Sequence, residues 1–297
     1  MKLGTTLHFD KLLGFEKSAE KAAQAGFRYI DFDLTGKYDC LQEEEERYFA
    51  EKRAVIKSLG MKISQAHAPF VRGIKLDDTQ FLSKVFMDKV RTAIRRAAIL
   101  ECPYLVFHPF AKYPQNYQNV PNTYFDLAPE CIETNLKFLR AIESDLERYG
   151  VKLALENLNM HDFPSRKCAP SACCTSQECN FYIDELGSEN FCICLDVGHL
   201  NLLSGERHSE FIHRLGKRIE VLHLHDNFGA LNDPWFGELD RHLMPFVGCV
   251  PWKEVADSLK EIGFNGVYSF ECASYGDEVF ADTNYRHMYL AGKKIFG

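Results

Sequence analysis

Residues 128–157 read APECIETNLKFLRAIESDLERYGVKLALEN. Ile132, Leu136, Leu139, Ile142 and Leu146 recur at the three- and four-residue spacing that lines one face of an α-helix. Gly150 stops that helix, and an apolar strand follows that ends on a carboxylate, Glu156. This helix–glycine–strand unit recurs along the chain. Strands are expected over residues 3–8, 29–34, 62–67, 104–109, 151–157, 191–199, 219–227 and 266–272. Helical patterns cover 15–25, 48–59, 79–100, 128–149 and 252–262, with Gly26, Gly60 and Gly263 as further stops. Residues 77–79 and the Ser176 region offer N-caps.

Eight strands alternating with helices imply a parallel sheet, and eight is the number that closes a barrel. No G-x-G-x-x-G follows the first strand, so a doubly wound dinucleotide fold lacks its usual mark. The 297 residues divide into repeats of roughly 37, with no linker or low-complexity segment between them. The expected architecture is α/β: a single (β/α)8 TIM barrel over residues 1–297. The irregular stretches 111–127, 161–174 and 228–250 each follow a strand, which puts them on the catalytic face of such a barrel.

The chain carries 35 basic and 42 acidic side chains, a formal charge of −7. A pI near 5.9 argues against a nucleic-acid partner, because phosphate binding needs a basic face. The hydrophobic share of 46% and charged share of 26% are those of a soluble globular protein with ample core. No apolar run reaches 18 residues, and residues 1–8 do not read as an export signal. Eleven cysteines are too few for a disulfide scaffold, which implies reduced thiols in a cytoplasmic protein.

The expected strand ends carry His8, Asp33, His67, His108, Glu156, Asp196, His225 and Glu271. Histidines 8, 67, 108, 199, 223, 225 and 242 all lie at such ends or just beyond. One strand-end histidine is ordinarily a satisfied hydrogen bonder. Several carboxylates converging on one cavity are strongly unfavourable without a cation. Glu156, Asp196 and Glu271 each follow apolar residues, and no Arg or Lys occupies a matching end. With His225 they form a mixed O/N ligand set for a divalent ion such as Mn²⁺, Zn²⁺ or Mg²⁺.

The motifs L-x-L-E-N, L-D-x-G-H, H-x-H-D-N and S-F-E-C, in this order, resemble the sugar isomerase/epimerase branch of the xylose-isomerase-like barrel superfamily. The resemblance spans essentially the whole chain. It implies a metal site of Glu156, Asp196, His225 and Glu271. Likeness to the ketose 3-epimerases makes Glu156 and Glu271 the acid/base pair and His199 a substrate contact. Those epimerases carry a substrate-binding arginine shortly after the strand-seven histidine; residues 226–231 here contain none, which leaves the sugar open. A second resemblance is to endonuclease IV of the same superfamily. His67, His108, Glu156, Asp196, His199, His225, Asp240, His242 and Glu271 match, in order, the nine ligands of its three-zinc centre.

The expectation is therefore a metal-dependent isomerase or epimerase of a small sugar or polyol, compatible with a homo-oligomer and without a membrane partner. One tight metal is expected, with His67, His108, His199, Asp240 and His242 as substrate-binding groups or ligands of additional metal. The alternatives are an inosose-type dehydratase on the same site and a multi-zinc phosphodiester hydrolase. Cys168, Cys173, Cys174 and Cys179 lack zinc-site spacing and read as incidental thiols, and Cys272 as a buried one. Residues 43–46, four glutamates, read as a solvated helix start, and Phe9, Phe70, Phe110, Phe228, Trp235, Phe236 and Phe246 as core or pocket walls.

Overall fold

The helix written into residues 128–149 forms over Pro129–Tyr149, and Phe138, Leu139, Ile142 and Leu146 on its apolar stripe are fully buried. Gly150 ends it at φ +64°, a backbone conformation that disfavours other residues, and the chain turns into a strand at Lys152. The computed structural model describes residues 1–35, 42–70, 84–110, 129–162, 167–170, 172–202, 206–229, 240–274 and 276–297. The 77–79 cap, the 111–127 loop, Trp235 and Phe236 lie outside them.

The strands are β1 (Leu3–Thr6), β2 (Tyr29–Asp33), β3 (Lys62–His67), β4 (Tyr104–Phe107), β5 (Lys152–Glu156), β6 (Asn159–Asp162), β7 (Lys167–Pro170), β8 (Phe191–Asp196), β9 (Ile219–His223) and β10 (Tyr268–Phe270). Eight of them form one parallel sheet in the order β10-β1-β2-β3-β4-β5-β8-β9. A parallel bridge between Leu224 and Phe270 joins the two outer strands and closes the barrel. Register then levels the strand ends: Asp33 lies opposite His67, Glu156 opposite Cys194, and Asp196 opposite His223.

Val106, Ala154, Cys192, Cys194 and Val221 fill the barrel interior, while the outward strand faces pack against helices in a larger core. The polar group below that interior is satisfied: Glu220 accepts from Lys152 Nζ at 2.8 Å and from Tyr104 at 2.8 Å. The helix expected to begin at residue 48 starts earlier, over Gln42–Ser58. Glu45 in its first turns is not solvated. It is buried and gripped by Arg95 and Arg96 of the helix Lys84–Ile99, which offsets the cost of removing its charge from water. β6 and β7 form an antiparallel pair inside a stretch expected to be irregular, each strand being too short to show a period. Thr175 caps the helix Ser176–Leu186 by accepting from Glu178 N. Among the described residues no helix is long and apolar enough to cross a membrane.

A C-terminal helix, Ala281–Phe296, seals the seam between β1 and β10. Its Tyr285 is buried, hydrogen-bonds Ser18 at 2.7 Å and packs its ring, tilted by 40°, 4.5 Å from that of His8. Burial in this packing lowers the His8 pKa to about 4. The unfolded chain then binds a proton that the folded chain refuses, so this contribution is complete above pH 6.5 and is lost as pH falls toward 4. Urea unfolding at pH 7.5 and 4.5 should show wild type losing more stability than His8→Phe, the excess being on the order of 2 kcal/mol. Parallel losses in the two proteins would refute this assignment.

Candidate metal centre

At the mouth of the barrel four groups of side chains have ligand atoms that lie within 4.8 Å of one another. His67, His108 and Glu156 form the first. Glu156, Asp196, His223 and Glu271 form the second. His199, His225, Asp240 and His242 form the third. Glu156, Cys194 and His223 form the fourth, and Glu156 belongs to three of them. One of its oxygens lies 3.0 Å from His108 Nε2 and 3.5 Å from His67 Nε2. The other lies 3.3 Å from His199 Nδ1 and 3.4 Å from His223 Nδ1.

Most of the imidazoles are held by one nitrogen and present the other. His67 Nδ1 donates to Ala68 O at 2.8 Å, His199 Nδ1 to Asn157 O at 2.9 Å, and His242 Nδ1 to Glu271 O at 2.7 Å. Their Nε2 atoms face into the groups, with His67 and His108 Nε2 only 3.1 Å apart and His199 Nε2 3.1 Å from Asp240. This is how a protein orients imidazole toward a metal: the far nitrogen is fixed by a carbonyl or carboxylate and the near one is left as donor. His223 Nδ1, His225 Nδ1 and Asp240 Oδ1 are buried and without a hydrogen-bond partner. Orphaned donor atoms among imidazoles and carboxylates fit a divalent cation.

The electrostatics agree. Burial alone would raise the Glu156 pKa, but the charges of His108 and His223 hold it well below the usual carboxylate range. Burial opposes Asp240 ionisation too, yet His242 and His199 hold it far down. Against its burial, His242 is pushed up to about 10 by Asp240, and His199 is raised by Asp196 and Asp240. His108 goes down because burial outweighs Glu156. A cation would replace the positive charge that these protonated imidazoles supply.

Backbone features set the group positions. Asn157 Oδ1 accepts from Asp196 N at 2.7 Å and its Nδ2 donates to Asp196 O, stitching β5 to β8. Asp226 accepts from Phe246 N, Val250 N and Trp252 Nε1, each at 3.0 Å, which ties down the segment carrying Asp240 and His242. Asn227 donates to Gly198 O. A Cβ on Gly198 would fall 2.0 Å from the His225 ring, so only glycine fits there. His242 itself sits at φ +47°, a strained value for a non-glycine residue.

Glu156, Asp196 and Glu271 come together as expected. His225 stands beside Asp196 at 3.0 Å but in the third group, its ring stacked 3.9 Å from that of His242. The place beside the three carboxylates belongs to His223, which lies outside the ligand set expected from sequence. His223 ends β9 and His225 lies two residues beyond it, so sequence alone does not choose between them. His8 and Asp33 stay outside the groups; Asp33 is exposed and accepts from Thr35 N. Phe70 packs 4.8 Å from His108, whereas Phe9 and Phe110 are core. Cys173, Cys174, Cys179 and Cys272 are buried and in no disulfide.

An uncharacterized protein of Methanocaldococcus jannaschii is 29% identical over 216 residues, 72% of this chain, and the match spans 65% of that protein's length. D-psicose 3-epimerase of Enterocloster bolteae is 21% identical over 86% of this chain and 76% of its own. The crystal structure of a D-tagatose 3-epimerase-like protein superposes with a TM-score of 0.71 at 24% identity, covering 99% of this chain and 100% of that one. The xylose isomerase-like TIM barrel family matches residues 19–289. With the closed parallel barrel, that match places this chain in the xylose isomerase-like TIM barrel family.

Proposed function

We propose that the chain is a divalent-metal-dependent isomerase or epimerase acting on a ketose or related polyol carbonyl compound. The observation that carries this reading is the pair Glu156 and Glu271, which flank His223 Nδ1 at 3.4 and 3.1 Å in one ligand group with Asp196. The relatives named as ketose 3-epimerases support the same class.

Glu156, Asp196, His223 and Glu271 would hold the ion, which supplies Lewis-acid stabilisation of the negative charge developing on the substrate's carbonyl oxygen. One of the two glutamates removes the proton next to the carbonyl and the other returns one to the opposite face. Their surroundings differ: the Glu156 side chain is 1% exposed and kept ionised, while that of Glu271 is 24% exposed. His67, His108, His199 and His242 surround this pair and hydrogen-bond substrate hydroxyls. Loss of water after the same proton abstraction, from an inosose-like cyclic polyol, would make the chain a lyase instead. Product analysis separates the two.

A second reading is favoured by one observation. The His67–His108–Glu156 and His199–His225–Asp240–His242 groups are themselves compact enough to hold ions. Three bound metals would favour phosphodiester hydrolysis.

With a substrate ketose in D₂O, deuterium should enter the product on the carbon next to the carbonyl. Full-rate turnover without label would eliminate proton transfer and favour a hydride shift. Glu156→Gln and Glu271→Gln should each lower kcat by about 10²–10⁴-fold. Titration of metal-free protein with Mn²⁺ and Zn²⁺ should give one tight equivalent, absent when both glutamates are changed. Three tight equivalents, lost stepwise in His67→Ala, Glu271→Gln and His242→Ala and accompanied by nicking of abasic duplex DNA, would transfer the assignment to the hydrolase.

A further inference from the structure

Asp31 lies inside β2 and is buried in the barrel, 2% exposed. Among the described residues no lysine or arginine pairs with it. Its Oδ2 lies 3.0 Å from His223 Nε2 and accepts from Gln65 Nε2 at 2.8 Å. The same Gln65 amide reaches Leu222 O at 3.1 Å, so the side chain is anchored to the strand that carries His223. A carboxylate only accepts, so the proton between Asp31 and His223 belongs to imidazole Nε2. The other ring nitrogen is then turned toward Glu271 Oε2 at 3.1 Å and Glu156 Oε1 at 3.4 Å, and it is the atom left without a hydrogen-bond partner.

We infer that Asp31, seated by Gln65, is the positioning residue of the metal site: it holds the His223 Nε2 proton and thereby commits the Nδ1 lone pair to the ion. This rests on the metal-dependent reading above. His67, His199 and His242 are fixed by neutral backbone carbonyls. His223 is fixed instead by Asp31, a buried carboxylate outside the ligand groups, and a carboxylate behind an imidazole raises its basicity as a ligand as well as setting its tautomer. Asp31 lies beneath the mouth, where it touches His223 rather than substrate, and its effect passes through that ring.

Two measurements test this, neither dependent on turnover. Calorimetric titration with Mn²⁺ and Zn²⁺ should show Asp31→Asn, which keeps shape and removes charge, binding about 10–100-fold more weakly than wild type. Gln65→Met should weaken binding in the same direction by less. In ¹⁵N spectra of Zn²⁺-loaded wild type, the His223 ring, identified by its loss in His223→Asn, should keep its Nε2 proton and carry the metal shift on Nδ1. Unchanged affinity in a folded Asp31→Asn protein, or a loaded ring protonated on Nδ1, overturns the inference while the metal site stands. If Asp31→Asn does not fold, the wild-type spectrum alone decides. Wild type that takes up no metal, or a double Glu156→Gln, Glu271→Gln protein that binds as wild type does, overturns both.

Discussion

A carboxylate placed where water cannot reach it must be surrounded by positive charge or hydrogen-bond donors. Glu156 is that carboxylate here. Its side chain is 1% exposed, and its two oxygens meet four imidazoles, from His67, His108, His199 and His223. Those rings come from different segments around the barrel, so the closed parallel sheet is a requirement of the pairing. Opening the barrel at the Leu224–Phe270 bridge would shift His223 and His225 relative to Glu271. The arrangement stands without a cation only while some imidazoles are protonated. A metal ion bound there would compete with those protons for the same place.

Much of what the motifs encode is scaffold. In L-x-L-E-N the glutamate is the hub, while the asparagine next to it joins two strands through the main-chain N–H and C=O of Asp196. In H-x-H-D-N the histidines face the groups. Asp226 meanwhile spends its oxygens on the backbone and indole of the segment 246–252, and Asn227 secures Gly198 and Asn201. In L-D-x-G-H the glycine makes room for His225. Reactive and supporting residues alternate because a strand end presents one side chain to the cavity and the next to the adjoining loop or strand.

This division explains what could be read from sequence. The barrel was legible because eight apolar strands and their glycine-terminated helices carry separable periods of 2 and 3.6. Glu156, Asp196 and Glu271 were legible because an acid ending an apolar run has no structural partner nearby in sequence. The exchange of His225 for His223 in the carboxylate group was not. His223 ends its strand and His225 follows two residues later, and their different neighbours, Glu271 for one and Asp196 for the other, appear only in the fold. Asp31 was illegible for a different reason. In Tyr29-Ile30-Asp31-Phe32-Asp33 an acid sits mid-strand, and only the fold reveals that its partner is His223, 192 residues away. Glu45 was misread as solvated because its partners, Arg95 and Arg96, lie some 50 residues further on.

The two glutamates of the proposed reaction are not equivalent, and the structure suggests how they divide the work. Glu156 is enclosed by four rings and held ionised, so it can accept a proton only if those rings give up part of their hold on it. Glu271 is tied at its main chain, where its carbonyl accepts from His242, but its carboxylate is partly exposed and meets His223 at 3.1 Å and His242 at 3.8 Å. A group that must receive a proton from carbon and exchange it with its surroundings needs that access and that looser packing. Proton traffic through the mouth should therefore run mainly by way of Glu271, with Glu156 moving its proton only within the substrate complex.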